Sequence, residues 1–179
     1  MMMIFPLRRI CRYYLTVTLG FCLLYSAATS AASEDAQPLS PELKASIESA
    51  VNDLGTMILV QDIKPNEVFP LLEQFLSDHP GIYGTALAYA PNDITPGACP
   101  YVYRHKGSLV EKDLANKDYD YTGKDWYTLP RDNHKAMWSA PYIDKGGGDV
   151  KMTTFSMPLY QDGGDGALVG VLTADVVVN

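Results

Sequence analysis

From Leu43 onward apolar residues recur at steps of four and three. Leu43, Ile47, Val51, Leu54 and Ile58 fall on one stripe of a helix, with charged and polar residues between them. Ser40-Pro41-Glu42, just ahead, is a helix start: a capping hydroxyl, a proline at the first helical position and an acid in the first turn. The spacing predicts an amphipathic helix to about Val60. Residues 62–66 contain Pro65 and end it. Val68, Leu71, Leu72, Phe75 and Leu76 then predict a second, shorter helix closing near His79-Pro80-Gly81.

Beyond Gly81 the period changes from helix to strand. Residues 82–89 are small, β-compatible residues stopped by Ala90-Pro91-Asn92-Asp93. Residues 101–104 and 108–110 flank His105-Lys106-Gly107 as a hairpin with a glycine turn. Residues 151–160 and 167–178 predict two more strands joined by the turn-rich 162–166. Two helices followed by about five antiparallel strands, with one irregular insertion between the third and fourth, predict an α+β domain whose sheet packs one face on the N-terminal helices. The chain contains no internal repeat and no low-complexity tract.

The first residues change the domain count. Arg8, Arg9 and Arg12 precede a short apolar run over residues 15–24 and a small-residue tail over 26–32, the three parts of a secretory signal peptide. The run is shorter than the ~20 residues of a comfortable membrane span, although residues 13–28 allow an uncleaved anchor instead. Residues 1–32 are expected to be a signal peptide and 33–179 a single domain, periplasmic or secreted after cleavage, with no output domain attached. The formal net charge of the chain is −7. Loss of those three arginines makes it more acidic, which argues against nucleic acid. Of three cysteines only Cys99 lies outside the leader, so no disulfide is expected within the mature chain. His79, His105 and His134 are scattered singly, and neither a metal nor a cofactor is expected.

Candidate chemistry concentrates in residues 119–144. Tyr119, Tyr121, Trp126, Tyr127, Trp138 and Tyr142 stand there among Lys124, Asp125 and Asp144, and Gly123, Pro130 and Pro141 interrupt any long helix or strand. Rings beside charges on an irregular segment fit a pocket wall, and they also fit an aromatic core beneath a loop. A cation with an apolar body is held by ring faces and partly shielded carboxylates. Asp144 and Asp175 are the candidate anions. Asp175 stands in an apolar strand, where an inward-facing carboxylate must have its charge met; the alternative is that it points outward.

Asp125-Trp126-Tyr127, residues 138–144, residues 153–158 and Gly170-Val171-Leu172-Thr173-Ala174-Asp175 together closely resemble the Cache family, PAS-like extracytoplasmic sensor domains of bacterial chemoreceptors, histidine kinases and cyclase-type regulators. The resemblance covers residues 119–176. It implies a carboxylate-binding side made by Tyr119, Lys124, Trp126 and Tyr127 and an amine-binding side made by Tyr142, Asp144 and Asp175. Lys124 stands where amino-acid-binding members carry arginine. It keeps the charge but loses the planar two-pronged donor, and amine-binding members also lack that arginine. The implied function is sensing of a small amine, amino acid or related metabolite, with the bound state passed to a membrane receptor or sensor kinase. Two alternatives stand beside it: a truncated receptor ectodomain, and a small hydrolase using Asp144 and Asp175 as paired carboxylates. Ser139, Ser156 and His134 form no nucleophile-elbow pattern. Gly146-Gly147-Gly148 lacks the Lys-Ser/Thr of a phosphate loop and reads as a flexible hairpin connection.

Overall fold

The computed structural model describes residues 39–92, 97–164 and 166–179. The expected signal peptide lies outside the described residues. The first helix, α1 (Pro41–Gln61), begins where the sequence places it: the Ser40 hydroxyl accepts a hydrogen bond from the Leu43 amide at 3.2 Å. It ends at Asp62, whose φ of 51° is left-handed. Ile47, Val51, Leu54 and Ile58 are buried, while Leu43, on the first turn, remains 39% exposed. Gly55 lets α1 sit close to the sheet, since a methyl group there would come within 2.6 Å of Met157 Cε. Helix α2 (Phe69–Asp78) buries Leu72, Phe75 and Leu76.

One antiparallel sheet follows: β1 (Gly84–Tyr89), β2 (Pro100–His105), β3 (Ser108–Asp113), β4 (Met137–Trp138), β5 (Tyr142–Ile143), β6 (Lys151–Tyr160) and β7 (Leu168–Val177). Its order is β3-β2-β1-β7-β6-β4, with β5 pairing another part of β6. The β2–β3 hairpin turns through Lys106 and Gly107, both at positive φ (49° and 85°), as a two-residue turn matching the twist of its strands requires. The count of seven strands corrects the expected five or so: β4 and β5 are two residues each, too short to show a period in the sequence.

Side-chain alternation splits the sheet into two faces. Leu87, Val102, Phe155, Leu159, Leu172, Ala174 and Val176 join the buried residues of α1 and α2 in one apolar cluster. Ala86, Ala88, Tyr101 and Val171 join Cys99, Leu114, Tyr119, Tyr121, Trp126 and Tyr127 in another, beneath the chain between β3 and β6. That chain is more regular than its prolines and glycines suggest: it holds a 3-10 turn (Tyr121–Gly123) and a short helix, α3 (Asp125–Asp132), with Pro130 inside it. The helix forms because Trp126, Tyr127 and Pro130 all bury on its inner side, and it stops two residues after the proline that cannot donate to it.

Candidate ligand-binding site

A cavity of about 790 Å³ lies between α3 and the segment carrying β4 and β5. That is within the ~300–1,000 Å³ usual for small-molecule sites. Lys124, Trp126, Tyr142 and Asp144 line it; Tyr119, Tyr127 and Asp175 are not among its lining residues. Trp138 reaches the wall, but its indole N–H donates to Glu48 on α1 at 2.7 Å and its ring lies 5.3 Å from that of Phe155, so much of it belongs to the helix-side core. Tyr127 is buried with its ring edge-on to both Tyr121 and Trp126.

Two hydrogen-bonded chains back the wall. In the first, Trp126 Nε1 donates to Tyr119 Oη at 3.2 Å, and Tyr119 Oη donates to Asp144 Oδ2 at 2.6 Å. Lys124 Nζ stands 4.3 Å over the Tyr119 ring, and among the described residues it has no carboxylate within ion-pair distance. Asp144 is 9% exposed. Burial raises its pKa, while the Tyr119 hydrogen bond and the Lys124 charge pull it back. A carboxylate in that position is a partly desolvated anion with one oxygen committed to Tyr119.

The second chain runs inward. Thr154 Oγ1 donates to Asp175 Oδ1 at 2.8 Å, and Tyr142 Oη lies 2.9 Å from the same threonine oxygen. A hydroxyl has one proton, so with Thr154 giving its proton to Asp175, Tyr142 must donate to Thr154. Asp175 sits on β7 opposite Thr154 and Gly84 and is 6% exposed. It therefore points inward, and burial pushes its pKa up to about 7 against the bond from Thr154. Tyr101 Oη opposes the shift from nearby, yet it has no partner in hydrogen-bonding geometry among the described residues, so that contact is electrostatic and not a formed bond.

Gly147 is part of the Asp144 seat. Its amide donates to the Asp144 carbonyl at 3.1 Å, and a methyl group at Cα would overlap Oδ2 and come within 2.7 Å of Cγ. The glycine run is thus the expected hairpin connection, between β5 and β6, and it also packs around a carboxylate, which nothing in the sequence pattern indicated. Gly147→Ala should turn the carboxylate away from Tyr119 and cost about 1–3 kcal/mol by chemical denaturation. In an Asp144→Ala background the same change should cost clearly less. An equal cost in both backgrounds would refute this account of Gly147.

Sequence reasoning overlooked the cavity's apolar wall, Leu129, Met137 and Pro130, and the roles of Thr154 and Ser156 on β6. The available signal was the two-residue period, which puts Thr154 and Ser156 on the face opposite Phe155. Among the described residues no group of His, Cys, Asp and Glu is arranged to hold a metal ion.

A PAS-like sheet with helices on one face and a cavity-bearing insertion on the other is the architecture of a ligand-sensing module. The family model described as "Methyl-accepting chemotaxis protein-like, first PDC sensor domain" matches residues 68–179. The chain belongs to that family of sensor domains, and its resemblance to the Cache class is thereby shown. No curated protein sequence matches it. Among solved structures, the extracellular domain of soHK1S-Z6, described as a histidine kinase, is 26% identical with a TM-score of 0.61 over 75% of this chain and 54% of its own. Two ligand-binding domains of Pseudomonas aeruginosa PAO1 amino acid chemoreceptors share the fold at 19% identity. PctB in complex with L-Arg gives a TM-score of 0.54 over 76% of this chain and 50% of its own, and PctC in complex with GABA gives 0.51 over 75% and 52%. The chain thus spans about half the length of the solved structures it matches. No helix among the described residues is long and apolar enough to cross a membrane.

Proposed function

We propose that this sensor domain binds a small primary amine, amino acid or related metabolite outside the cytoplasm, without turning it over, and passes the bound state to a membrane receptor or sensor kinase. The observation that carries the reading is Asp144: a buried carboxylate at the wall of a ring-lined cavity, fixed by Tyr119 and, among the described residues, in no ion pair. An ammonium group meets it with a charge-assisted hydrogen bond, and Trp126 and Tyr142 offer the flanking rings. Asp175 lies one hydrogen-bonded step behind Tyr142 and supports the same end of the ligand through Thr154. Lys124 is placed to meet a ligand carboxylate, with Tyr119 and Tyr127 setting the frame around it. The amine-bearing ligands named with PctB and PctC, L-Arg and GABA, are sensible first probes.

A thermal-shift screen of amines, amino acids and small carboxylates on the full chain tests the reading, since a ligand at ~100 times its dissociation constant adds ~2.7 kcal/mol of stability. Lys124 variants then sort the ligand class by isothermal titration. For an amino acid, Lys124→Ala weakens binding about tenfold or more and Lys124→Arg keeps or improves it. For a simple amine, Lys124→Ala leaves affinity unchanged or raises it. A screen in which only anions without an amine bind would refute the proposal.

A further inference from the structure

Two buried hydroxyls on the cavity face of the sheet, Tyr101 Oη and Ser156 Oγ, have no hydrogen-bond partner among the described residues, and of the two only Ser156 lines the cavity. Thr153 Oγ1 donates to the Ser139 carbonyl at 2.8 Å, Thr154 Oγ1 donates to Asp175, and Thr173 Oγ1 accepts from the Ala86 amide at 3.0 Å. Ser156, two residues beyond Thr154 on the same face of β6, is 2% exposed, and its Oγ has no hydrogen-bond partner among the described residues. Buried polar side chains are nearly always paired, and one left unpaired is costly. Ser156 is also a lining residue of the cavity, whose wall includes the apolar Leu129, Pro130 and Met137; its strand neighbours are Met137 on β4 and Thr173 on β7. Met137 offers no strong partner, and the Thr173 hydroxyl is engaged by the Ala86 amide, so neither is hydrogen-bonded to Ser156.

We infer that Ser156 is a ligand-contacting, specificity-determining residue, and that the ligand is an elongated amine carrying a second hydrogen-bonding group at the end remote from its ammonium. The inference rests on the proposed role of Asp144. The strand register sets the length. Tyr142 pairs with Met152 and Met137 with Ser156, and four residues along a strand span about 13 Å. Asp144 lies beyond Tyr142 from Ser156. A ligand whose ammonium sits at Asp144 must therefore pass an extended apolar body over Tyr142 and along Leu129 and Met137 before its far end meets Ser156. A serine hydroxyl both donates and accepts, so it takes a terminal hydroxyl, amide or second amine alike. It discriminates all of these from a bare alkyl end, which leaves the buried hydroxyl unmatched. Amino alcohols, diamines and amines with a long amide tail fit; short monofunctional amines do not.

The test uses matched pairs on the full chain: n-hexylamine with 6-aminohexan-1-ol, and n-octylamine with 8-aminooctan-1-ol, by isothermal titration. The wild-type protein should bind the hydroxyl member of at least one pair about tenfold more tightly. Ser156→Ala should erase that preference by weakening the amino alcohol while leaving the alkylamine unchanged or tighter, with an unfolding midpoint no lower than wild type. Equal affinities within both pairs, no binding by any of the four compounds, or a preference that survives in Ser156→Ala would overturn the inference. The underlying reading fails separately: amines that bind Asp144→Asn as tightly as wild type would remove the ammonium site, whatever Ser156 does.

Discussion

In Asp144→Asn, affinity for a primary-amine ligand is expected to fall at least about thirtyfold, while the unfolding midpoint stays within a few degrees of wild type. The side chain keeps its shape and an oxygen that can still accept from Tyr119 Oη, so the Trp126–Tyr119–144 chain survives. What disappears is the charge. Truncating one member of a buried, hydrogen-bonded charge pair costs about 2–5 kcal/mol, equivalent to a factor from about thirty to several thousand. Asp144→Ala should lose binding to a similar extent and also lose stability, because it leaves the Tyr119 hydroxyl with no acceptor, a loss of about 1–3 kcal/mol. Titration calorimetry with the best amine from the screen, beside thermal unfolding of both variants, separates the two effects. An asparagine variant that binds as well as wild type would show that Asp144 meets no ammonium.

The second large effect is on stability as a function of pH. Asp175 keeps its proton in the folded protein up to a pKa of about 7, whereas in the unfolded chain it loses it near the ordinary ~3.9. Between those values the folded state binds more protons than the unfolded state, so stability falls as pH rises through the window and levels off above it. From pH 5 to 8 about two pH units lie inside the window, and at 1.36 kcal/mol per unit the loss is about 3 kcal/mol. Burial raises the Asp144 pKa as well, an effect of the same sign. Urea denaturation at pH 5 and pH 8 measures it. Asp175→Asn mimics the protonated carboxyl, so it should match wild type at pH 5, exceed it at pH 8 and flatten the profile. A wild-type protein equally stable at both pH values would show that Asp175 is ionised in the fold and that its charge is met.

Local patterns accounted for the frame of the molecule. The three- and four-residue spacing over 43–58 and the Ser40-Pro41 start became α1, and residues 101–110 became the β2–β3 hairpin. The strand patterns over 151–160 and 167–178 became the long paired strands β6 and β7. These features are legible because helix and strand periods, caps and tight turns depend on residues a few positions apart. The motif running from Asp125 to Asp175 also sufficed for the family, because it records residue types and needs no contact between them.

The site itself was decided elsewhere. Sequence placed Tyr119, Lys124, Trp126, Tyr127, Tyr142, Asp144 and Asp175 in one group, but the wall takes Lys124, Trp126, Tyr142 and Asp144 and leaves the other three behind it. Tyr127 turns to the core because α3 presents adjacent side chains at different angles. Asp175 goes inward because the β6–β7 register sets it opposite Thr154. The bond between Tyr119 and Asp144 closes over 25 residues, and that between Thr154 and Asp175 over 21. Such pairings depend on which strands meet and on how a chain folds back across a sheet, neither of which leaves a period in the sequence. Burial is collective in the same way: a serine on β6 reads like any other small polar residue until β4 and β7 pair on either side of it and set Met137 and Thr173 beside it.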